Sequence, residues 1–184
     1  MKKIWIIVSI LPVILLAGCA GTTGSLDVSV KVQPTATVAL SNRDADGKYV
    51  SDFTVKTTDG SFTLSKALRQ YDYVFVNFWG STCKPCKREM PLIQKMHEKY
   101  GDKIAFISLS AYSGDTMADA EKEKKEFGLT YPVGIDTVNL KSYRERSAVP
   151  YFMLIDKNMK VVWEFCGSRN DETLYTDMFS EFLK

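Results

Sequence analysis

The run Tyr73 to Phe78 is apolar and β-branched apart from Asn77, and it ends five residues before Cys83-Lys84-Pro85-Cys86. A short continuous run of this kind reads as a central strand buried on both faces. A helix follows from about Cys83 or Lys84 to Tyr100, with Leu92, Ile93, Met96 and Tyr100 on one face and Gly101 beyond its end. The chain is thereby held to an α/β layout in which a cysteine pair stands where a buried strand passes into a helix.

The remaining elements extend that layout. Phe53 to Leu64 reads as two short strands joined at an Asp59-Gly60 turn, and Lys103 to Leu109 as a second buried strand. Thr116 to Phe127 reads as a charged helix closed by Gly128, and Leu140 to Arg146 as a shorter one. Tyr151–Ile155 and Val161–Phe165 form a hairpin pattern across Asp156 to Met159. Leu174, Tyr175, Met178, Phe179 and Phe182 then give a terminal helix one apolar face. Together these make a mixed α/β sandwich, and the parallel pair around the first helix calls for right-handed crossovers.

Composition narrows the partners. The chain has 184 residues, 45% of them hydrophobic, with 24 Lys and Arg against 22 Asp and Glu. It must hold a packed core, and so even a charge balance is unsuited to tracking phosphate backbones; no nucleic acid partner is expected. No repeat of about 20 to 50 residues is present, and residues 48–184 read as one domain.

Residues 1–18 follow a different logic. Met1-Lys2-Lys3 is a positive n-region and Ile4 to Leu16 an apolar stretch broken at Pro12, shorter than the about 20 residues of a membrane-spanning helix. Leu16-Ala17-Gly18-Cys19 resembles a bacterial lipobox. That resemblance implies a signal peptide over 1–18, a diacylglyceryl group on the Cys19 sulfur, and a mature chain of 184 − 18 = 166 residues. It also implies a lipid anchor at the extracytoplasmic face of the cell membrane. An uncleaved anchor, or a secreted protein with an incidental Cys19, is the alternative. Residues 19–47 read as a tether with a reach of about 30 Å, although Val28, Val30 and Val32 alternate as an edge strand would.

The chemistry lies in Cys83 and Cys86. A cysteine at a helix N-terminus has unpaired backbone N–H groups and the positive end of the helix dipole beside it, which favour its thiolate. Lys84, Lys87 and Arg88 add positive charge in the same turn. Thiolate attacks disulfides, and a cysteine three residues on can resolve the mixed disulfide, so two electrons pass with no cofactor. Cys83 is expected as the exposed nucleophile and Cys86 as the resolving thiol. A zinc or iron–sulfur site would need a second Cys pair or a His pair, but the one histidine, His97, lies fourteen residues down the same helix and is expected on its surface. No metal is therefore assigned; a copper carrier and a redox-inactive surface lipoprotein stay open. A Cys–His hydrolase fails for the same want of a histidine.

The block from Val74 to Trp79, with Trp79-Gly80-Ser81-Thr82-Cys83-Lys84-Pro85-Cys86 and Pro91, resembles thioredoxin-like proteins. Within them it resembles the membrane-tethered TlpA/ResA thiol–disulfide oxidoreductases. Ala148-Val149-Pro150 to Asp156 and Gly167 match the same pattern. The resemblance covers about Ser51 to Lys184. It implies a thioredoxin-like fold, a central mixed β-sheet flanked by helices with an N-terminal β-hairpin extension and a helical insertion. It implies a Pro91 kink inside the first helix and a cis Pro150 packed against the sulfurs. Val149 would pair its backbone with an extended substrate, and Trp79 would be a core and active-site wall residue, open to the substrate.

Two departures carry weight. Asn77 stands where thioredoxin has a buried Asp, and a neutral amide is no general base. Glu89, three residues after Cys86 and so on its face, is the candidate replacement; a solvated Glu is the competing reading. Thr82 stands where thioredoxin has an aromatic. Cys166 reads as a small buried hydrophobe or as a thiol flanking the active site, and Glu121 to Glu126 as a solvated helix face with Glu121 and Lys125 paired. The expected activity is extracytoplasmic protein disulfide reduction, and the resemblance implies electrons from a membrane thiol donor. Disulfide oxidation and thiol peroxidation are the enzymatic alternatives, although the Pro-x-x-x-Thr-x-x-Cys cradle of peroxiredoxins is missing. The resemblance suggests apocytochrome c or an exported methionine sulfoxide reductase as the substrate.

Overall fold

In the computed structural model, which describes residues 49–140, 148–169 and 171–184, the apolar run forms β3 (Tyr73–Trp79). Side chains alternate across a strand, and here both faces are covered. Val74, Val76 and Phe78 enter one core cluster, while Phe75 and Trp79 enter the other. All five are 0–1% exposed, and burial of such side chains contributes about 1.5–3 kcal/mol each. Asn77 points to the second cluster as well, and its amide is accommodated by Ser108.

β3 pairs in parallel along its full length with β4 (Ile104–Ser110), from Tyr73 opposite Ile104 to Trp79 opposite Ser110. On its other side it pairs antiparallel with β6 (Tyr151–Asp156). With β1 (Thr54–Thr57), β2 (Gly60–Thr63), β5 (Val133–Ile135) and β7 (Val161–Cys166) the sheet has seven strands in the order β2-β1-β5-β4-β3-β6-β7. The C-terminal ends of β3 and β4 and the start of β6 therefore share one edge. Among the described residues the helices are α1 (Leu64–Ala67), α2 (Lys84–Tyr100), α3 (Met117–Glu126) and α4 (Thr173–Phe182). α2 buries Cys86, Glu89, Met90, Ile93, Gln94 and Met96, and it keeps Pro91 in its interior, where the ring removes one backbone donor.

Three particulars differ from expectation. The first hairpin turns on Thr58 and Asp59, because Gly60 already pairs with Thr57 as the first residue of β2; its φ of 102° is the conformation that the turn demands of a glycine. β5 and the single-turn α1 were not anticipated. The signal peptide, Cys19, the tether and the helix expected beyond Leu140 lie outside the described residues.

Candidate active site

α2 begins because Cys83 caps it. Cys83 is in extended conformation, and its Sγ accepts from the backbone N–H of Cys86 at 3.2 Å. Pro85 in the first turn has no amide hydrogen to leave unsatisfied. The two sulfurs are bonded to each other. Cys83 is 5% exposed and Cys86 1%, so the expected order holds but the nucleophile expected to be exposed shows only a small window to solvent. The Val149–Pro150 bond is cis, and the carbonyl oxygen of Val149 lies 3.8 Å from the Cys83 Sγ. Gly167 donates its N–H to the Pro150 carbonyl at 3.0 Å, which ties the end of β7 to this loop. Trp79 is 0% exposed and belongs to the core cluster that contains both sulfurs. Read from sequence as a substrate-contacting residue, it has no surface to offer one, because β3 carries it inside the sheet.

Two buried polar groups of different kinds stand on β3 and α2, the elements on either side of the cysteine loop. Asn77 donates to Ser108 Oγ at 2.9 Å, Ser108 continues to the Tyr131 hydroxyl at 3.4 Å, and the Asn77 carbonyl oxygen has no partner among the described residues. Glu89 is 1% exposed, which removes the solvated reading. Its carboxyl accepts from Ser168 Oγ at 2.7 Å and from the Tyr175 hydroxyl at 3.0 Å. Burial first, and then the Glu89 charge, hold the Tyr175 hydroxyl far above the usual phenol range, so it remains a donor. Burial does the same to Tyr131. Sequence reasoning missed Ser168, and it took Tyr175 for an apolar-face residue only.

Two further groups, Glu123 and His97, were misjudged from sequence, whereas Cys166 is close to its buried reading. Glu123, read as part of a solvated face, is 1% exposed and pairs at 2.5 Å with Lys87, the residue after Cys86. One of the three cations expected to favour the thiolate is thus engaged by a carboxylate of α3. The signal was thin, since only Ala120 shares the buried side of α3. His97, expected on the helix surface, is half-buried, edge-on to Phe106 and Tyr131, and bonded to Thr130 Oγ1 at 3.0 Å. Cys166 is a free, partly buried thiol packed against the core cluster on the β3 face of Val74 and Val76. On the rim, Asp115 binds the loop before Cys83. It accepts from the Ser81 N–H at 2.8 Å, the Ser81 hydroxyl at 2.6 Å and the Ser110 hydroxyl at 2.5 Å.

A family model described as the AhpC/TSA family matches residues 47–164, more than half of the chain. The chain belongs to that family. Within it, a thiol-disulfide oxidoreductase ResA of Bacillus cereus is 35% identical over 131 residues, 70% of this chain and 73% of that one. ResA of Geobacillus thermodenitrificans is 36% identical over 142 residues, covering 68% and 80%. Among solved structures, a thiol:disulfide interchange protein of the thioredoxin family from Chlorobium tepidum superposes with a TM-score of 0.61 at 22% identity. It covers 77% of this chain and 99% of that one, a likeness of fold. This AhpC/TSA chain has the thioredoxin-like fold, and its cysteine pair and relatives make it a thiol–disulfide oxidoreductase. Among the described residues no helix is long and apolar enough to cross a membrane, and no cluster of His, Cys, Asp and Glu could hold a metal ion.

Proposed function

We propose that this chain is a lipid-anchored, extracytoplasmic reductase of disulfides in exported proteins, re-reduced by a membrane thiol donor. The observation that carries the chemistry is Cys83 at the N-cap of α2, its sulfur accepting from the Cys86 N–H. In the reduced enzyme the Cys83 thiolate attacks a substrate disulfide; a Cys83–substrate bond forms, and the other substrate sulfur leaves as a thiolate that takes a proton. The Cys86 thiol gives up its proton, and its sulfur attacks Cys83. This closes the Cys83–Cys86 bond and releases the second substrate thiol, so the substrate gains two electrons and the enzyme loses two. Glu89, within one turn of Cys86, is the proton acceptor in this scheme, and Val149 and Pro150 receive the extended substrate segment.

The reductive direction has its own support. A strong oxidant owes its potential to a stabilised reduced form. Here Lys87 is tied to Glu123, and the buried Glu89 follows Cys86 by three residues on α2, an arrangement that adds little to thiolate stability. The lipobox resemblance at Cys19 supports the anchor, and the TlpA/ResA resemblance supports apocytochrome c or an exported methionine sulfoxide reductase as substrate.

The deciding measurement is the redox equilibrium of the chain with Cys19 and Cys166 changed to serine, followed by Trp fluorescence in thiol–disulfide buffers. A potential at about −270 mV or lower, the thioredoxin range, is the expected result. One near about −120 mV would make the protein a disulfide donor, and the absence of a two-electron transition would remove the redox reading altogether.

A further inference from the structure

Because β4 and β6 flank β3, the loop from Gly80 to Thr82 that delivers Cys83 lies between the segment leaving β4 and the segment entering β6. The β6 side carries Val149 and Pro150. The β4 side carries Tyr112, which is 39% exposed and, with Tyr49, one of the two large hydrophobic residues exposed among the described residues. Tyr49 has a lysine over its ring, Lys160. Tyr112 rests instead on the backbone of Gly80: a Cβ added there would stand 2.7–2.8 Å from three of its ring atoms. Glycine at this position is what lets an aromatic ring settle against the active-site loop.

The backbone that carries the ring is fixed in advance of any partner. The Tyr112 N–H donates to Ser110 Oγ at 3.2 Å, and that hydroxyl in turn donates to Asp115, which also grips Ser81. Between the ring and Thr82 lies an open depression of about 500 Å3, bounded also by Ser113 and Gly114. Three hydrogen bonds from Ser81 and Ser110 occupy the Asp115 carboxylate, and the other side chains around the depression are uncharged. A rigid aromatic surface next to a reactive sulfur loses little freedom on binding.

We propose that Tyr112 is a substrate-recognition residue: its ring, with the depression beside Thr82, receives the apolar or aromatic side chain that neighbours the target cysteine in the substrate polypeptide. This rests on the disulfide-exchange reading above. Substrate chain would lie over Cys83 with its backbone toward Val149 and one adjoining side chain toward Tyr112, where aromatic and aliphatic groups find an offset or edge-on ring contact.

The test uses the full chain, dithiothreitol as recycling dithiol, and two synthetic disulfide peptides that differ only in carrying Phe or Ser beside the cysteine. The wild type is expected to favour the Phe peptide about fivefold in kcat/KM, through KM, a difference of about 1 kcal/mol at 1.4 kcal/mol per tenfold. Tyr112→Ala erases the preference and Tyr112→Phe keeps it. Equal rates of the wild type on both peptides, or an undiminished preference in Tyr112→Ala, overturn the proposal while leaving disulfide exchange intact. If the wild type reduces neither peptide, the redox reading fails and the recognition role with it. A second measurement needs no change at Tyr112: in the mixed disulfide trapped with Cys86→Ser, the Phe peptide shifts the Tyr112 ring resonances, and unshifted resonances count against the contact.

Discussion

Asn77 on β3 and Glu89 on α2 are both buried polar residues on the elements that flank the cysteine loop, but only one of them can take a proton. The Asn77 amide donates to Ser108 and carries no titrating group, whereas the Glu89 carboxyl is held at both oxygens by neutral hydroxyls. If Glu89 accepts the Cys86 proton, Glu89→Gln slows closure of the Cys83–Cys86 bond by about 100-fold, the lower end of general-base contributions. The enzyme then accumulates as mixed disulfide, visible by mass spectrometry after an acid quench. Tyr175→Phe keeps the ring in the core and removes only the donor, so a smaller slowing with an altered pH profile is expected; unchanged single-turnover rates in both variants would remove Glu89 from the proton path. His97 makes a separate prediction about stability. Burial, partly opposed by Glu98 and reinforced by Lys124, lowers its pKa from 6.5 in the folded chain. The unfolded state therefore binds the proton more readily. Stability that is present above about pH 6.5 is lost as the pH falls toward the lowered value, with a slope of at most about 1.4 kcal/mol per pH unit. Urea midpoints at pH 7.5 and 5.5 should show a larger acid loss in the wild type than in His97→Phe.

At the scale of elements, the pair between Lys87 on α2 and Glu123 on α3 fastens α3 to the cysteine-bearing helix. Glu123 is 1% exposed, one of its oxygens has no partner among the described residues, and Lys87 is partly open to solvent. Removing the lysine strands a buried carboxylate, so Lys87→Met should cost about 2–4 kcal/mol, while Lys87→Met with Glu123→Met should recover most of that loss. A double-mutant cycle in urea measures the coupling; additive losses would mean that the pair carries no tie. This pair also marks where sequence legibility ended. The strands with two apolar faces, α2 and the position of Cys83 at its tip were legible, because continuous apolar runs and helical spacing are local signals, while the place of Pro91 inside α2 came from the resemblance. The TlpA/ResA resemblance supplied the cis geometry at Pro150, which X–Pro statistics alone do not. β5 was hidden because its three residues hold a glycine and follow Pro132, and its strand character comes from pairing with Ser108 to Ser110. Glu123 looked solvated because lysines surround it in sequence, and its burial depends on what α2 brings against α3. Tyr112 gave no periodic signal, since its role depends on a glycine thirty-two residues earlier.

Across the whole molecule, redox poise and stability are one quantity seen from two sides. The bridge between Cys83 and Cys86 spans three residues in sequence, and closing so short a loop in the unfolded chain costs about 2 kcal/mol of chain entropy. The folded chain has already brought the two residues together at the tip of α2, so oxidation of the folded form avoids that cost. Opposing this are interactions that favour the thiolate in the reduced form, and the N–H of Cys86 is one. With Lys87 engaged by Glu123, they should not outweigh the entropy term. The oxidised protein is then expected to be more stable than the reduced protein by about 2 kcal/mol. By the cycle linking folding to oxidation, the folded pair is about 40 mV more reducing than the same pair in the unfolded chain. Denaturant titrations of the two forms, with Cys19 and Cys166 replaced by serine and Trp79 as a reporter in the same core cluster as the sulfurs, measure this directly. A reduced form more stable than the oxidised one would reverse the sign, place the poise on the oxidising side, and turn the proposed electron flow from enzyme to substrate into its opposite.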